Sequence, residues 1–394
     1  MKAPPETVEA LLRRMVALNT VNTVSSGDLL AEAKLAADLC DVARLFGFSV
    51  RRLPVAGRGH NLLIELEVNR RAPWIMFESH MDTVSTEGMT VEPLAGRVKS
   101  GTMWGRGVCD TKGTGAAMLW ALRSYASGSS TSNNVAILFS IDEEYGMVGV
   151  RSFVRNDLPK LGYHPRCVIV GEPTLLRPVV AHNGVVRWRI TVTGKAAHSA
   201  TPELGDSAIS AMVHVIDAIE SQYIPSLTTK HPLTGQAKCS INVIRGGTQI
   251  NIVAESCTID IDRRTVPGED GHAVLPTIQG LLDRLGAREP AINARQEPIF
   301  TAPPLSHRAS ELILPEVQRI MAHCDLPIDP IGGGYATDAG DLAAAGLPTL
   351  VLGPGDMAKA HTKDECLELN QLHRGVEVYL AIMEGNWGEG VNPD

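Results

Sequence analysis

The stretch Phe77-Glu78-Ser79-His80-Met81-Asp82-Thr83-Val84 follows the apolar run Trp74-Ile75-Met76 and puts a histidine and a carboxylate two residues apart. A neutral imidazole is a good ligand for a zinc-like ion, and a nearby carboxylate can fix its tautomer without touching the metal. Taken alone, such a pair also fits a capping histidine and a loop aspartate. The pattern recurs, however. Val135-Ala136-Ile137-Leu138-Phe139-Ser140-Ile141 runs into Asp142-Glu143-Glu144, and Cys167-Val168-Ile169-Val170-Gly171 runs into Glu172-Pro173-Thr174. Thr349-Leu350-Val351-Leu352-Gly353 leads to a loop that carries His361. A glycine-dense loop between Gly101 and Gly113 delivers Asp110 just ahead of a helix. Glycines there let the backbone bend tightly and approach a bound species. The Gly105-Arg106-Gly107 portion does not read as a dinucleotide site, because it lacks a preceding apolar strand and a third glycine in register.

His80, Asp110, Glu144, Glu172 and His361 are therefore the candidate ligands, with Asp82 and Glu143 beside them. Seven ionisable groups would share one rim of one sheet, where open α/β folds place their ligand sites. Five are carboxylates, and like charges gathered in one cleft repel. Two divalent cations would offset them and accept mixed nitrogen and oxygen donors; such ions sit about 3.5–4 Å apart with a shared ligand. A carboxylate has two oxygens to share. Asp110, placed by its own loop between the flanking sets, is the expected bridge.

Strands alternating with helices must position these residues. Apolar Val8, Leu11, Leu12, Met15 and Val16 fall at helical spacing, and a second helix is expected from about Leu29 to Phe46, ending at Gly47. Strands at Ser49–Leu53, Asn61–Glu67 and Trp74–His80 follow, then the glycine loop and a helix from Gly115 to about Ala126. Together with the runs above they predict an α/β fold with a three-layer, mostly parallel sheet. Between Glu172 and His361 the texture changes. Val185–Thr193 alternates as a strand, and Asp206–Gln222 reads as an amphipathic helix capped by Asp206. Ala237–Arg245 and Ile250–Asp262 read as strands joined by a Gly246-Gly247 hairpin. Glu269–Leu285 reads as a helix and Ala291–Gln296 as a last strand. The order β-α-β-β-α-β predicts a ferredoxin-like α+β domain at 184–297, inserted into a catalytic domain built from 1–183 and 298–394.

Composition narrows the function. The 394 residues are enough for two domains, with 44% apolar and 20% charged residues. A net charge of −8 with no Lys/Arg-rich run argues against nucleic acid. No stretch approaches the roughly 18 apolar residues of a membrane helix, and the first six residues carry no secretory signal pattern. Seven scattered cysteines without a Cys-x-x-Cys pair fit reduced thiols in a cytoplasmic protein, and argue against a cysteine-held metal.

Five blocks carry a family resemblance: Ser79 to Val84, Gly105-Arg106-Gly107 through Asp110-Thr111-Lys112-Gly113, Asp142-Glu143-Glu144, Gly171-Glu172-Pro173-Thr174 and Ala360-His361-Thr362. The chain resembles, over essentially its whole length, the co-catalytic zinc amidohydrolases and exopeptidases that include acetylornithine deacetylase, succinyl-diaminopimelate desuccinylase, aminoacylase and glutamate carboxypeptidase. The resemblance implies that His80, Asp110 and Glu172 hold one metal ion, and Asp110, Glu144 and His361 the other. It implies that Asp82 orients His80, that Glu143 is the catalytic base, and that the bond after Asp110 is cis. Zinc is the expected metal, with cobalt or manganese able to occupy such N/O sites.

In the inserted domain, the block Gly194 to Ala200 implies that His198 stabilises the oxyanion. Arg263, rather than Arg264, is expected to grip a substrate carboxylate, and Asn251 to contact substrate or hold a turn. A homodimer through the inserted lid domain, hinged near 183 and 298, is likewise implied. Ser85 and Lys363 stand where many relatives have proline. Gly332-Gly333-Gly334-Tyr335-Ala336-Thr337-Asp338-Ala339 resembles a substrate loop with extra residues, which nominates Gly333 and Thr337 as substrate contacts. The expected activity is cleavage of the amide of an N-acyl amino acid; a di- or tripeptide substrate for an exopeptidase is the alternative.

Overall fold

The apolar runs pair side by side, and their register decides where the acidic residues emerge. The computed structural model describes residues 3–128, 131–289 and 292–388. It divides into two units: Met1–Val180 with His307–Ile331 and Thr337–Asp394, and Ala181–Ser306 with Gly332–Ala336.

In the first unit the sheet includes, in spatial order, Ser49–Pro54, His60–Leu66, Asn134–Ser140, Trp74–His80, Pro165–Val170 and Thr349–Val351. The last four run parallel to one another, and the first two pair antiparallel at one edge. Ile75, Phe77, Val135, Ile137, Phe139, Cys167 and Ile169 enter one core with helix residues Leu11, Leu12, Leu119, Leu122, Val378 and Ile382. Met76, Ala136, Leu138, Val168 and Val170, pointing the other way, are buried as well. A sheet covered on both faces is the three-layer arrangement expected of continuous apolar strands. His80 pairs with Ser140, and Glu78 with Val170. The strand ends are level, so Asp142 to Glu144 and Glu172 follow at the same carboxyl rim as His80.

Small residues let the Asp110 loop and its helix, Lys112–Ser127, lie against this rim. A Cβ at Gly113 would strike the Val108 carbonyl, and one at Gly171 would run into Thr114 Cγ2 and lie 2.7 Å from Met118 Cε.

In the second unit Gly184–Thr193, Lys238–Gly246, Ser256–Thr265 and Asn293–Ala302 form an antiparallel sheet. Taken in chain order, the strands lie second, third, first, fourth across it, the ferredoxin-like arrangement. Helices Ala208–Ala218 and Val274–Arg288 supply Met212, Val215, Ile278 and Leu281 to a core with Trp188, Ile190, Ile259 and Ile261.

The second unit runs past the expected 184–297 to Ser306 and takes in Gly332–Ala336, and three local details also depart from expectation. Ser207, not Asp206, caps the first helix, its hydroxyl accepting from the Ser210 amide at 3.2 Å. Asp206 instead exchanges backbone hydrogen bonds with Lys195. The strand after Gly246 begins only at Ser256, so Gly247, at φ +69°, opens a long loop instead of closing a tight hairpin. The last strand runs Asn293–Ala302; Ala291, its expected start, lies outside the described residues.

The packing at Gly171 makes a direct prediction. Gly171→Ala should cost about 1–3 kcal/mol from overpacking in a denaturant titration, with lower activity because Glu172 moves with the strand end.

Candidate metal centre and active site

Both ring nitrogens of His80 are committed. Nδ1 lies 3.0 Å from the backbone carbonyl of Asp82, an acceptor only, so Nδ1 carries the hydrogen. Nε2 then faces Asp110 Oδ1 at 3.1 Å and Glu172 Oε1 at 3.9 Å. A neutral ring presents a lone pair to those two oxygens, which suits a cation between them and not a hydrogen bond. On the other side of Asp110, His361 Nε2 lies 3.0 Å from Asp110 Oδ2 and 3.1 and 3.2 Å from the two oxygens of Glu144. One N–H cannot serve three acceptors. The donor chemistry therefore fits two cations, one among His80, Asp110 and Glu172 and one among Asp110, Glu144 and His361; within each group the potential ligand atoms lie within 4.8 Å of one another. His80, Asp110 and Glu172 are buried, while the His361 side chain is half exposed.

Asp82 sits behind this pair. Its carboxylate accepts the amide N–H groups of Glu143 at 3.0 Å and Glu144 at 3.1 Å, and the side-chain amide of Asn22 at 2.7 Å. Asn22 also donates to Asp142 at 2.9 Å, so one buried amide ties the carboxylate beside His80 to the turn that carries Glu143. Asp142 and His361 both hold left-handed backbone, at φ +63° and +60°. Such conformations persist where surrounding structure imposes them. The Asp110–Thr111 peptide bond is cis. The Thr111 hydroxyl donates to the carbonyl of His80 at 3.1 Å and meets Ser79 Oγ at 3.0 Å, linking the loop to the strand.

These groups perturb one another. Burial pushes the Glu143 pKa well above the carboxylate range; the charge of His80 opposes this, and those of Glu172, Glu144 and Asp110 add to it. Glu172 is raised by burial and by the charge of Asp110, and Glu144 by the same two causes. Burial disfavours protonating His80, but hydrogen bonds to Asp110 and Asp82 and the charge of Glu143 outweigh it and hold its pKa well up. His361 is raised to about 10 by its contacts with Asp110 and Glu144. Asp110 stays low: burial is overcome by hydrogen bonds from both histidines.

Thr337 is buried in the first unit, its hydroxyl accepting from the Ala339 amide at 3.2 Å. Behind it, Asp338 and Glu78 meet through one hydroxyl, Ser140 Oγ, at 2.9 and 2.6 Å. Gly333 belongs to the second unit, where its carbonyl accepts from the Asn183 amide at 3.2 Å.

The second unit also brings His198 and Asn251 together. The Ser199 amide donates to the Asn251 carbonyl at 3.0 Å. The Ala200 amide donates to His198 Nδ1 at 3.0 Å, which leaves the hydrogen of the neutral ring on exposed Nε2. Arg263 does not fit its expected role. It is buried, with Nη2 on Glu269 at 2.8 Å, Nη1 on the carbonyl of Arg264 and Nε on Tyr223 at 3.3 Å. Its fork is already filled. Strand alternation turns Arg264 to the other face, where it lines an open depression of about 620 Å³ with Lys238, Ser240 and Asn242. There its Nε and Nη2 donate to the two oxygens of Asp262 at 2.7 and 3.3 Å, and unlike Arg263 it remains partly exposed.

No sequence pattern marks Asn22, and Arg106 and Glu365 stand inside or just beyond the Gly105–Gly113 and Ala360–Thr362 blocks with no local signal of their own roles.

Residues 76–385 match the model of peptidase family M20/M25/M40. An acetylornithine deacetylase from Buchnera aphidicola subsp. Schizaphis graminum is 31% identical over 299 residues, covering 75% of this chain and 76% of that protein. A tripeptidase from Staphylococcus aureus has the same fold, with TM-score 0.77 and 19% identity over 96% of this chain and 97% of that one. So has an M20 family metallo-carboxypeptidase from Sulfolobus solfataricus, with TM-score 0.77 and 15% identity over 96% and 99%. The chain belongs to peptidase family M20/M25/M40 and is a hydrolase of amide bonds.

Proposed function

We propose that the protein hydrolyses the amide bond of an N-acyl amino acid, using two divalent cations, most simply zinc, that share Asp110. The observation that supports this most directly is the placement of Asp110, with one oxygen 3.1 Å from His80 Nε2 and the other 3.0 Å from His361 Nε2. When bound, the cations would supply Lewis acidity that lowers the pKa of water towards neutrality and polarises a carbonyl. Asp82 keeps the His80 ring in the tautomer that presents Nε2. Glu143, adjacent to Glu144 but outside both ligand sets, takes a proton from the attacking water at its carboxylate. It returns that proton to the amide nitrogen as the C–N bond breaks, acting as base and then acid. His198 offers its Nε2 hydrogen to the oxygen of the tetrahedral intermediate. For the substrate carboxylate we assign Arg264 in place of Arg263, with Asn251, Gly333 and Thr337 as further candidate contacts.

The acetylornithine deacetylase relative supports the acyl amino acid reading; a short-peptide exopeptidase would use the same groups. A homodimer through the second unit is supported by the exposed Ile209, Val213, Ile244 and Ile250. A cytoplasmic setting is supported by seven free cysteines. Among the described residues no helix is long and apolar enough to cross a membrane.

A panel of N-acetyl, N-succinyl and dipeptide substrates, read by release of free amine, tests the reading. Turnover of acyl amino acids is expected, and turnover of peptides alone would favour the exopeptidase. Glu143→Gln should lower kcat by at least about a thousandfold, several kcal/mol at the transition state, while bound metal is unchanged; near-normal turnover would contradict the assignment.

Arg264→Met should raise KM for carboxylate-bearing substrates about tenfold or more, as loss of a charge-assisted contact of about 1.5–3 kcal/mol implies. Arg263→Met should act mainly on stability, because it strips Glu269 of its buried partner.

Proton release gives a further check. His80, His361, Glu143, Glu144 and Glu172 all have pKa values raised in the folded, metal-free protein, so folding there binds protons. Stability of the metal-free protein should fall as pH rises from about 4.5, through the histidines' ordinary 6.5, towards the pKa of His361 at about 10. Asp110 and Asp82 are lowered and stay ionised across that window. A cation displaces the extra protons, so zinc uptake at pH 7 should release protons in calorimetry across buffers of different ionisation enthalpy. The zinc-dependent rise in Tm should grow from pH 6 to pH 8.

A further inference from the structure

We propose that Glu365, together with Arg106, is the positioning element that fixes Asp110 and ties its loop to the one carrying His361. This rests on the reading of Asp110 as the shared ligand. Glu365 is wholly buried. Its Oε1 accepts the backbone N–H of Cys109 at 2.9 Å and of Asp110 itself at 3.2 Å, and its Oε2 accepts Arg106 Nη1 at 2.6 Å. Arg106 is only 4% exposed and is held in turn by the Ser85 carbonyl, to which its Nε donates at 3.1 Å. The Gly105 amide donates to the carbonyl of Glu365 at 3.1 Å, and the strand that follows, Cys366–Glu368, pairs with Thr102–Trp104. Glu365 lies four residues after His361. One carboxylate thus pins, at a single point, the two loops that supply the shared ligand and the exposed histidine.

The chemistry explains why a carboxylate stands there. Among the described residues, each hydrogen-bond partner of its oxygens is a donor: two amides on one side and a guanidinium on the other. A buried carboxylate is tolerated only when its lone pairs are satisfied in this way, and buried amides need an acceptor in return. Glutamine would not replace it, since its NH₂ must face a donor whichever way the side chain is turned. If Arg106 also becomes glutamine, an acceptor returns opposite that NH₂ while the carbonyl oxygen still serves Cys109 and Asp110. The match is restored without the charge.

Asp110 belongs to both ligand sets, so disturbing its backbone should weaken both ions. A structural role elsewhere in the fold would not do so selectively. The test uses the metal-free full chain, Zn²⁺ and a chromophoric chelator in competition, with circular dichroism to confirm folding and kcat and KM measured separately. Glu365→Gln should weaken both zinc ions by about tenfold to a hundredfold, as loss of a group supporting a ligand does, and lower kcat more than it raises KM. The double variant R106Q/E365Q should recover affinity relative to Glu365→Gln. Where Glu365→Gln does not fold, the double variant decides: affinity within about tenfold of the wild type supports the proposal, and weaker binding by a folded protein overturns it. Wild-type affinity for either ion in folded Glu365→Gln also overturns it, as does a folded double variant with no recovery. Asp110→Asn separates this from failure of the underlying reading. If that variant keeps both ions, or the wild type binds fewer than two, the shared-ligand reading falls first.

Discussion

Negative charge crowded onto one edge of a sheet is the constraint around which the first unit is built. Asp110, Glu143, Glu144 and Glu172 converge with two histidines at strand ends that parallel pairing holds level. Carboxylates this close cannot all stay ionised without compensating positive charge. In the protein alone, that crowding and burial push the proton affinities of the histidines and glutamates upward. Cations would supply the compensating charge and leave Glu143 as a base instead of an acid. The catalytic requirement and the electrostatic one then have the same solution.

Backbone amides supply much of the remaining compensation. Asp82 takes the N–H groups of Glu143 and Glu144, and Glu365 takes those of Cys109 and Asp110. Neither carboxylate faces a metal in the proposed arrangement; each converts a flexible loop into a fixed one by using its lone pairs on peptide N–H groups. Asn22 and Arg106 complete the two sets with a side-chain amide and a guanidinium. Pre-organisation of this kind is what a site needs when reacting groups must be placed within about 0.5 Å.

Much of this could be read from the chain. Continuous apolar runs ending in His80, Glu144 and Glu172 announce buried parallel strands, because both faces of such strands must be covered. The ferredoxin-like unit was equally plain from its alternation of strands and helices. What escaped were features decided by three-dimensional pairing. Ser207 and Asp206 are both good caps, and the backbone pairing of Asp206 with Lys195 assigns the role to Ser207. Gly246-Gly247 looks like a hairpin, but the loop to Ser256 takes part in the local fold of His198 through Asn251 and Ile252. Arg263 and Arg264 are indistinguishable by type; one residue of strand register sends the first to Glu269 and the second to the open face. Asn22 and Glu365 carry no local pattern, because their partners lie 60 and more than 250 residues away.

The most direct test of the account is a crystal of the zinc-loaded protein measured above and below the zinc absorption edge. The account predicts two anomalous peaks flanking the Asp110 carboxylate, one beside His80 and Glu172 and the other beside Glu144 and His361. A single peak, or peaks that do not share Asp110, would contradict it.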